Sequence, residues 1–60
     1  MEDEEEVRRV AADYVAQYGR DAPAYLWKEA HRARLKGDDS AVAWIDLAQA
    51  AEEILATRRQ

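Results

Sequence analysis

Side chains that could carry out acid–base or nucleophilic chemistry are few in this chain. It has one histidine, His31, one serine, Ser40, and no cysteine. His31 could act as a base toward Ser40 only if the two met in space, and we expect a histidine on a helix surface and a serine in a helix-capping segment. The pairs Asp38–Asp39 and Glu52–Glu53 are adjacent in sequence, and adjacent residues do not face each other on a helix. We therefore predict no catalytic residue and no enzyme activity.

Metal ions and cofactors lack suitable ligands in the sequence. Structural zinc is held mainly by cysteine and histidine, and the chain offers only His31. The two glycines, Gly19 and Gly37, stand far apart, so no glycine-rich loop can surround a phosphate group. The absence of cysteine also excludes disulfide bonds. The sequence therefore predicts no metal site and no cofactor.

Basic residues gather in the middle of the chain, although the formal net charge is −4. They form a candidate basic patch of Lys28, Arg32, Arg34 and Lys36. Together with the turn at "KGDD", the spacing is compatible with a helix-turn-helix, which would place the following helix in the major groove of DNA. That helix would expose acidic residues such as Asp46, which phosphates repel. We expect a solvated basic face, or one that pairs with acidic residues of another helix, and no nucleic-acid partner.

The elements that must position these side chains are helices, as the apolar spacing indicates. The first helix is predicted over about 4–18, and Gly19 supplies the left-handed residue that commonly ends a helix. Its apolar residues recur at steps of three and four, the spacing of one helix face. They are Val7, Val10, Ala11, Tyr14 and Tyr18.

Residues that typically begin and end helices predict two further helices. The second is predicted over about 22–36, with Asp21 as its N-cap, Pro23 in its first turn and Gly37 after its end. The third is predicted over about 39–57, with Asp38 or Asp39 as its cap. The predicted fold is all-α, a small three-helix unit with short loops.

The small size of the chain bears on how this unit is completed. Sixty residues make a single domain, 1–60, and a core of this size rarely supplies more than about 3–5 kcal/mol, so small folds add disulfides, a metal or a partner chain. Because the chain has no cysteine and no set of zinc ligands, self-association is the remaining way to stabilise the fold. The apolar face of the third helix covers about half of its circumference, which is more than one neighbour needs. We predict a homo-oligomer, with a dimer favoured, and a further protein partner as an open alternative.

Individual side chains can be assigned from these faces. Trp44 is predicted as the main core contact, against Leu26 and Tyr14, because its neighbours on the same face are small. Trp27 adjoins Leu26 in sequence and is predicted at a rim or an interface, where aromatic residues with a polar tip are favoured. The candidate core residues are Val10, Tyr14, Leu26, Ala30, Trp44, Ala48 and Leu55. The candidate interface residues are Tyr18, Tyr25, Trp27, Leu47 and Ile54.

The start of the chain, "MEDEEEV", is acidic, and we expect residues 1–3 to be frayed. A secretion signal needs a basic start followed by an apolar run, and a membrane span needs about 20 apolar residues. Neither pattern occurs in the sequence. We therefore expect a soluble cytoplasmic protein without a membrane partner.

Several of these residues together resemble a group of short uncharacterised bacterial proteins. The likeness runs from "YGRDA" at 18–22 through "GD" at 37–38 to Trp44, Leu47 and "AAEEI" at 50–54. The group's pattern is roughly H-G-x-D-A, then G-D, then W-x-x-[IL]-x-x-A-[IA]-E-E-L, and here Tyr18 stands where histidine is frequent. The resemblance covers about two thirds of the chain. It implies a helical fold and a bacterial origin, and no activity.

From all of this we expect a non-enzymatic helical interaction protein that forms a homo-oligomer. The alternative function is a DNA-binding regulator or an antitoxin-like module, which would use a helix-turn-helix formed by the second and third helices. The sequence names no physiological partner for either.

Overall fold

The computed structural model describes residues 4–58 of the chain, with side chains from residue 5 onward. Helix α1 covers Glu4–Tyr18, a 3₁₀ turn covers Gly19–Asp21, α2 covers Ala22–Leu35 and α3 covers Ala41–Arg58. The described residues contain no strand, so the predicted all-α class is confirmed. The predicted fraying of residues 1–3 lies outside the described part of the chain.

The junction between α1 and α2 differs from the predicted loop. Gly19 has a φ of 64°, which ends α1 as expected, and Pro23 lies in the first turn of α2. The backbone then continues directly through the 3₁₀ turn. Asp21 occupies the N-cap position of α2 as predicted, but it has a helical φ of −83° and its side chain does not make the expected capping hydrogen bond. A capping residue needs an extended backbone. Helical residues therefore follow one another without a loop over 4–35, where the positive φ of Gly19 separates α1 from α2, and again over 41–58.

The end of α2 is a glycine-dependent stop. Gly37 has a φ of 71° and donates its N–H to the Arg34 carbonyl at 3.0 Å. The Asp38 N–H donates to the Ala33 carbonyl at 2.8 Å. This pair of bonds is a Schellman motif, which satisfies carbonyls that the helix itself leaves free. It ends α2 at Leu35, one residue before the predicted boundary.

Helix α3 begins two residues later than predicted, at Ala41. The first bond of the helix runs from the Trp44 N–H to the Ser40 carbonyl at 3.1 Å, so Ser40 occupies the capping position. Asp38 contributes differently from a cap. Its Oδ1 accepts the Ser40 N–H at 3.0 Å, and this bond lowers the pKa of the Asp38 carboxyl. The predicted capping by Asp38 or Asp39 is corrected accordingly.

Helix α3 packs against both other helices. It lies antiparallel to α2, because a bond between Trp27 and Glu52 joins the two far from the turn that connects them. On its other side, Arg8 of α1 donates to Glu53 at 3.1 Å. Principal extents of 37 × 27 × 15 Å give the molecule the form of a thin slab.

Alanine dominates the buried core. The buried apolar residues are Ala11, Val15, Ala22, Leu26, Ala30, Ala33, Ala41, Ala48, Ala50 and Ala51. Eight of the ten are alanine, and Leu26 is the one large side chain with less than 2% exposure among the described residues. Small side chains let helix axes approach to the short end of the usual 8–10 Å range. The interior of the described residues is therefore built mostly from small side chains, which permit such close packing of the helices.

The candidate core residues divide into two groups by burial. Leu26, Ala30 and Ala48 are buried. Tyr14, Trp44 and Leu55 are half-buried and pack against the core from its edge, while Val10 is half-buried outside that cluster. The expectation that Trp44 is the main core contact is therefore wrong within the single chain, where Leu26 has that position. Its neighbours Ala41 and Ala48 are buried in its place, and Trp44 packs against the core from the edge.

Candidate interaction surface

The side chain of Trp27 lies on the outer surface of α2 and α3, where a hydrogen bond to α3 holds it in place. Its Nε1–H donates to Glu52 Oε2 at 2.9 Å, while 37% of the residue stays exposed. The polar tip is thus satisfied inside the chain and the bond fixes the orientation of the ring. A large aromatic side chain that is already held in place loses little entropy when a partner covers it.

An open groove of about 470 Å³ lies next to Glu52, between the start of α2 and the end of α3. Pro23, Leu55 and Ala56 provide its apolar lining. Arg20 and Arg58 contribute two positive charges, and Glu52 is the acidic residue among its lining. The groove therefore combines an apolar floor with an excess of positive charge.

Three tyrosines meet where α1 turns into α2. The rings of Tyr18 and Tyr25 are stacked with centroids 4.7 Å apart, and Tyr14 lies 5.7 Å from Tyr25. Partial burial raises the pKa of the Tyr25 hydroxyl, with further contributions from Tyr18 and Glu29. Tyr18 is 39% exposed. This tyrosine cluster connects the end of α1 to the start of α2, and the ring of Tyr18 is partly exposed to solvent.

The candidate interface residues do not share one face. Tyr25 and Trp27 are two positions apart on α2, which places them about 200° apart around the helix. Leu47 and Ile54 are half-buried and pack against the chain's own core. A role for these two between chains stays a prediction, whereas Trp27 and Tyr18 offer exposed aromatic surface on two different sides of the molecule.

The candidate basic patch is exposed along its whole length. Lys28 and Arg32 are four residues apart and share a face of α2, and Lys36 follows at the same step just after the helix ends, while Arg34 points elsewhere. Arg32 lies 3.6 Å from Glu29 on the same helix. Exposed ion pairs of this kind contribute about 0.2–1 kcal/mol. The exposed face of α3 carries Asp46, Gln49 and Glu53, so the two helices present opposite charges to solvent.

Groups that could support catalysis or hold a metal do not assemble in the described part of the chain. His31 is exposed on α2, and among residues 5–58 no hydrogen bond joins it to Ser40. Within the same residues, no three histidine or acidic side chains come together as metal ligands. None of the helices described here has the length and apolar character of a membrane span.

Sequence reasoning missed the role of Glu52, which it considered only as one half of the adjacent pair Glu52–Glu53. The relevant signal is the register of the helical hairpin formed by α2 and α3. Trp27 lies eight residues before the end of α2 at Leu35, and Glu52 lies eleven residues after the start of α3 at Ala41. In an antiparallel pair, residues at similar distances from the connecting turn come near each other. Glu53, in turn, accepts the bond from Arg8.

Comparisons with protein-family models, with curated proteins and with solved structures find no match for this chain. The inferences below therefore rest on the residues and their geometry.

Proposed function

We propose that this chain is a non-enzymatic helical interaction protein that pairs with a second copy of itself. The observation that carries the proposal is the distribution of side-chain sizes. Alanine fills most of the interior, while Tyr14, Trp27 and Trp44 stay partly exposed. A second chain that covered such residues would bury the large apolar area that the single chain leaves in water.

Trp27 marks the surface that best fits this pairing. Large aromatic residues are the commonest sources of binding energy at protein interfaces, especially when they are surrounded by small or apolar side chains. Here Pro23, Leu55 and Ala56 line the neighbouring groove. The bond to Glu52 satisfies the indole N–H within the chain, so covering the ring would leave no buried donor without a partner.

Sedimentation velocity at micromolar concentration tests the proposal directly. We expect the wild-type chain to sediment as a dimer and Trp27→Ala to shift the population toward monomer while its circular dichroism stays helical. Leu35→Ala is the matched control, because Leu35 is also an exposed apolar residue of α2, with 74% exposure, and lies about 80° further around the helix. A wild-type chain that stays a well-folded monomer would overturn the proposal.

The DNA-binding alternative also stays a prediction, but the geometry supports it less. A helix-turn-helix crosses its two helices at about 90–120°, whereas α2 and α3 lie side by side in opposite directions. The exposed residues of α3 are acidic or neutral at the positions that would meet the groove. A fluorescence anisotropy titration at about 50 mM salt separates the two, because phosphate contacts are strongest at low salt. Salt-sensitive binding to duplex DNA would favour the alternative.

A further inference from the structure

We propose that the groove between α2 and α3 receives the acidic start of α1 from a second copy of the chain. This inference rests on the proposed self-association and names the contact that makes it specific. The groove is defined by Arg20, Pro23, Glu52, Leu55, Ala56 and Arg58. The acidic start is the run Glu2–Glu6, of which Glu5 and Glu6 are exposed in the first turn of α1.

Charge complementarity favours this occupant. Two arginines and one carboxylate, Glu52, line the groove, so the charges of its lining residues sum to +1. Arginine binds carboxylates through a fixed fork of N–H donors, which suits it to recognition of acidic side chains. The acidic start is the densest run of negative charge in the sequence, with five acidic residues in succession. No other segment of the chain offers comparable charge.

The placement of α1 argues that the occupant comes from another copy. Within one chain, Arg8 donates to Glu53, so α1 lies on the side of α3 that carries Glu53. The groove lies on the side that carries Glu52, where α2 packs. Consecutive residues point about 100° apart around a helix. Glu5 and Glu6 and the groove of the same chain therefore lie on different sides of α3.

A two-fold dimer allows both contacts to form at once. In such an interface each copy presents the same surface, so the acidic start of each chain meets the groove of the other. Trp27, which adjoins the groove through Glu52, would then be covered in both copies. The proposal consequently predicts that a chain with a charge-reversed groove can pair with a chain whose acidic start is charge-reversed.

Charge reversal in two separate variants tests this pairing. The groove variant carries Arg20→Glu and Arg58→Glu, and the acidic-start variant carries Glu4→Lys, Glu5→Lys and Glu6→Lys, which changes the sign of the net charge of each element. Alone, each variant brings like charges together in both contacts, and we expect its dimer to be at least about tenfold weaker at about 50 mM salt. Mixed one to one, they restore opposite charges in both contacts and should form a heterodimer that sedimentation detects.

Controls with the same change in charge exclude a general effect of net charge. Arg9→Glu with Arg34→Glu matches the groove variant, and Asp13→Lys with Asp39→Lys and Asp46→Lys matches the acidic-start variant. All five positions are exposed and lie outside the groove and the acidic start. We expect this control pair to show no preference for the mixture over either variant alone.

The outcomes separate this inference from the proposed function. A wild-type dimer that both charge-reversed variants keep, or one that both lose without recovery on mixing, overturns the groove contact and leaves self-association standing. A monomeric wild-type chain overturns both. A heterodimer formed by the groove and acidic-start variants, and absent in the control mixture, supports the contact between copies.

Discussion

The indole Nε1 of Trp27 and the carboxylate Oε2 of Glu52 lie 2.9 Å apart and join α2 to α3 on the outer surface of the hairpin. The contact spans 25 positions of sequence. It fixes the register of the two helices and the orientation of a large ring. Its neighbour Glu53 bonds α1 instead, so two consecutive residues of α3 connect it to different helices.

Removing the Glu52 carboxylate should release the Trp27 indole. We expect Glu52→Ala to move the indole N–H resonance of Trp27 and to lower stability by at most about 1 kcal/mol, because the bond is exposed to water. Glu52→Gln keeps an acceptor oxygen and should move the resonance less. Glu53→Ala is the matched control, since it removes only the bond to Arg8. An unchanged Trp27 resonance in Glu52→Ala would contradict the contact.

Leu26 should matter more for stability than Trp44. Leu26 is completely buried, so Leu26→Ala removes a large side chain and leaves a cavity at a cost of about 2–5 kcal/mol. That equals most of the stability of a domain this size. Trp44 is half-buried, and we expect Trp44→Ala to lower the melting temperature by less. Thermal unfolding followed by circular dichroism gives the ranking. A melting temperature for Trp44→Ala below that of Leu26→Ala would contradict the prediction.

The bond between Asp38 and Ser40 should make stability depend on acid pH. The pKa of the folded carboxyl is lowered by the Ser40 N–H, so its contribution is present above the ordinary value of about 4 and is lost as the pH falls through the folded pKa. We expect Asp38→Asn to lower the melting temperature at neutral pH, with a difference from wild type that shrinks in acid. Asp39→Asn is the control, because none of the hydrogen bonds found among residues 5–58 uses the Asp39 carboxylate.

Gly37 should resist replacement for a purely conformational reason. Its φ is 71°, and a Cβ added there would meet no heavy atom within 4 Å. The cost of Gly37→Ala is therefore that of a left-handed backbone, about 1–2 kcal/mol. Asparagine tolerates this conformation better, so Gly37→Asn should lose less stability. Urea unfolding measures both, and equal midpoints for glycine and alanine would show that this backbone strain is absent in solution.

Local features of the fold could be read from the sequence because their causes are local. Gly19 and Gly37 end helices since only glycine adopts a positive φ without strain. The spacing of Leu26, Ala30 and Ala48 indicated buried helix faces, and all three are buried. These outcomes depend on the residues themselves and on the period of the helix, which no distant contact alters.

Other features were decided by how the helices meet. A helical period shows which side faces a neighbour, but the depth of burial depends on the distance between axes, so Trp44 lies at an edge while alanines fill the interior. The path from Gly19 into α2 left Asp21 in a helical conformation instead of a capping one. The pairing of Trp27 with Glu52 needed the register of two antiparallel helices. Contacts between residues far apart in the sequence arise only when packing brings their helices together. The candidate interaction surface depends on such contacts, so only the tertiary structure determined it.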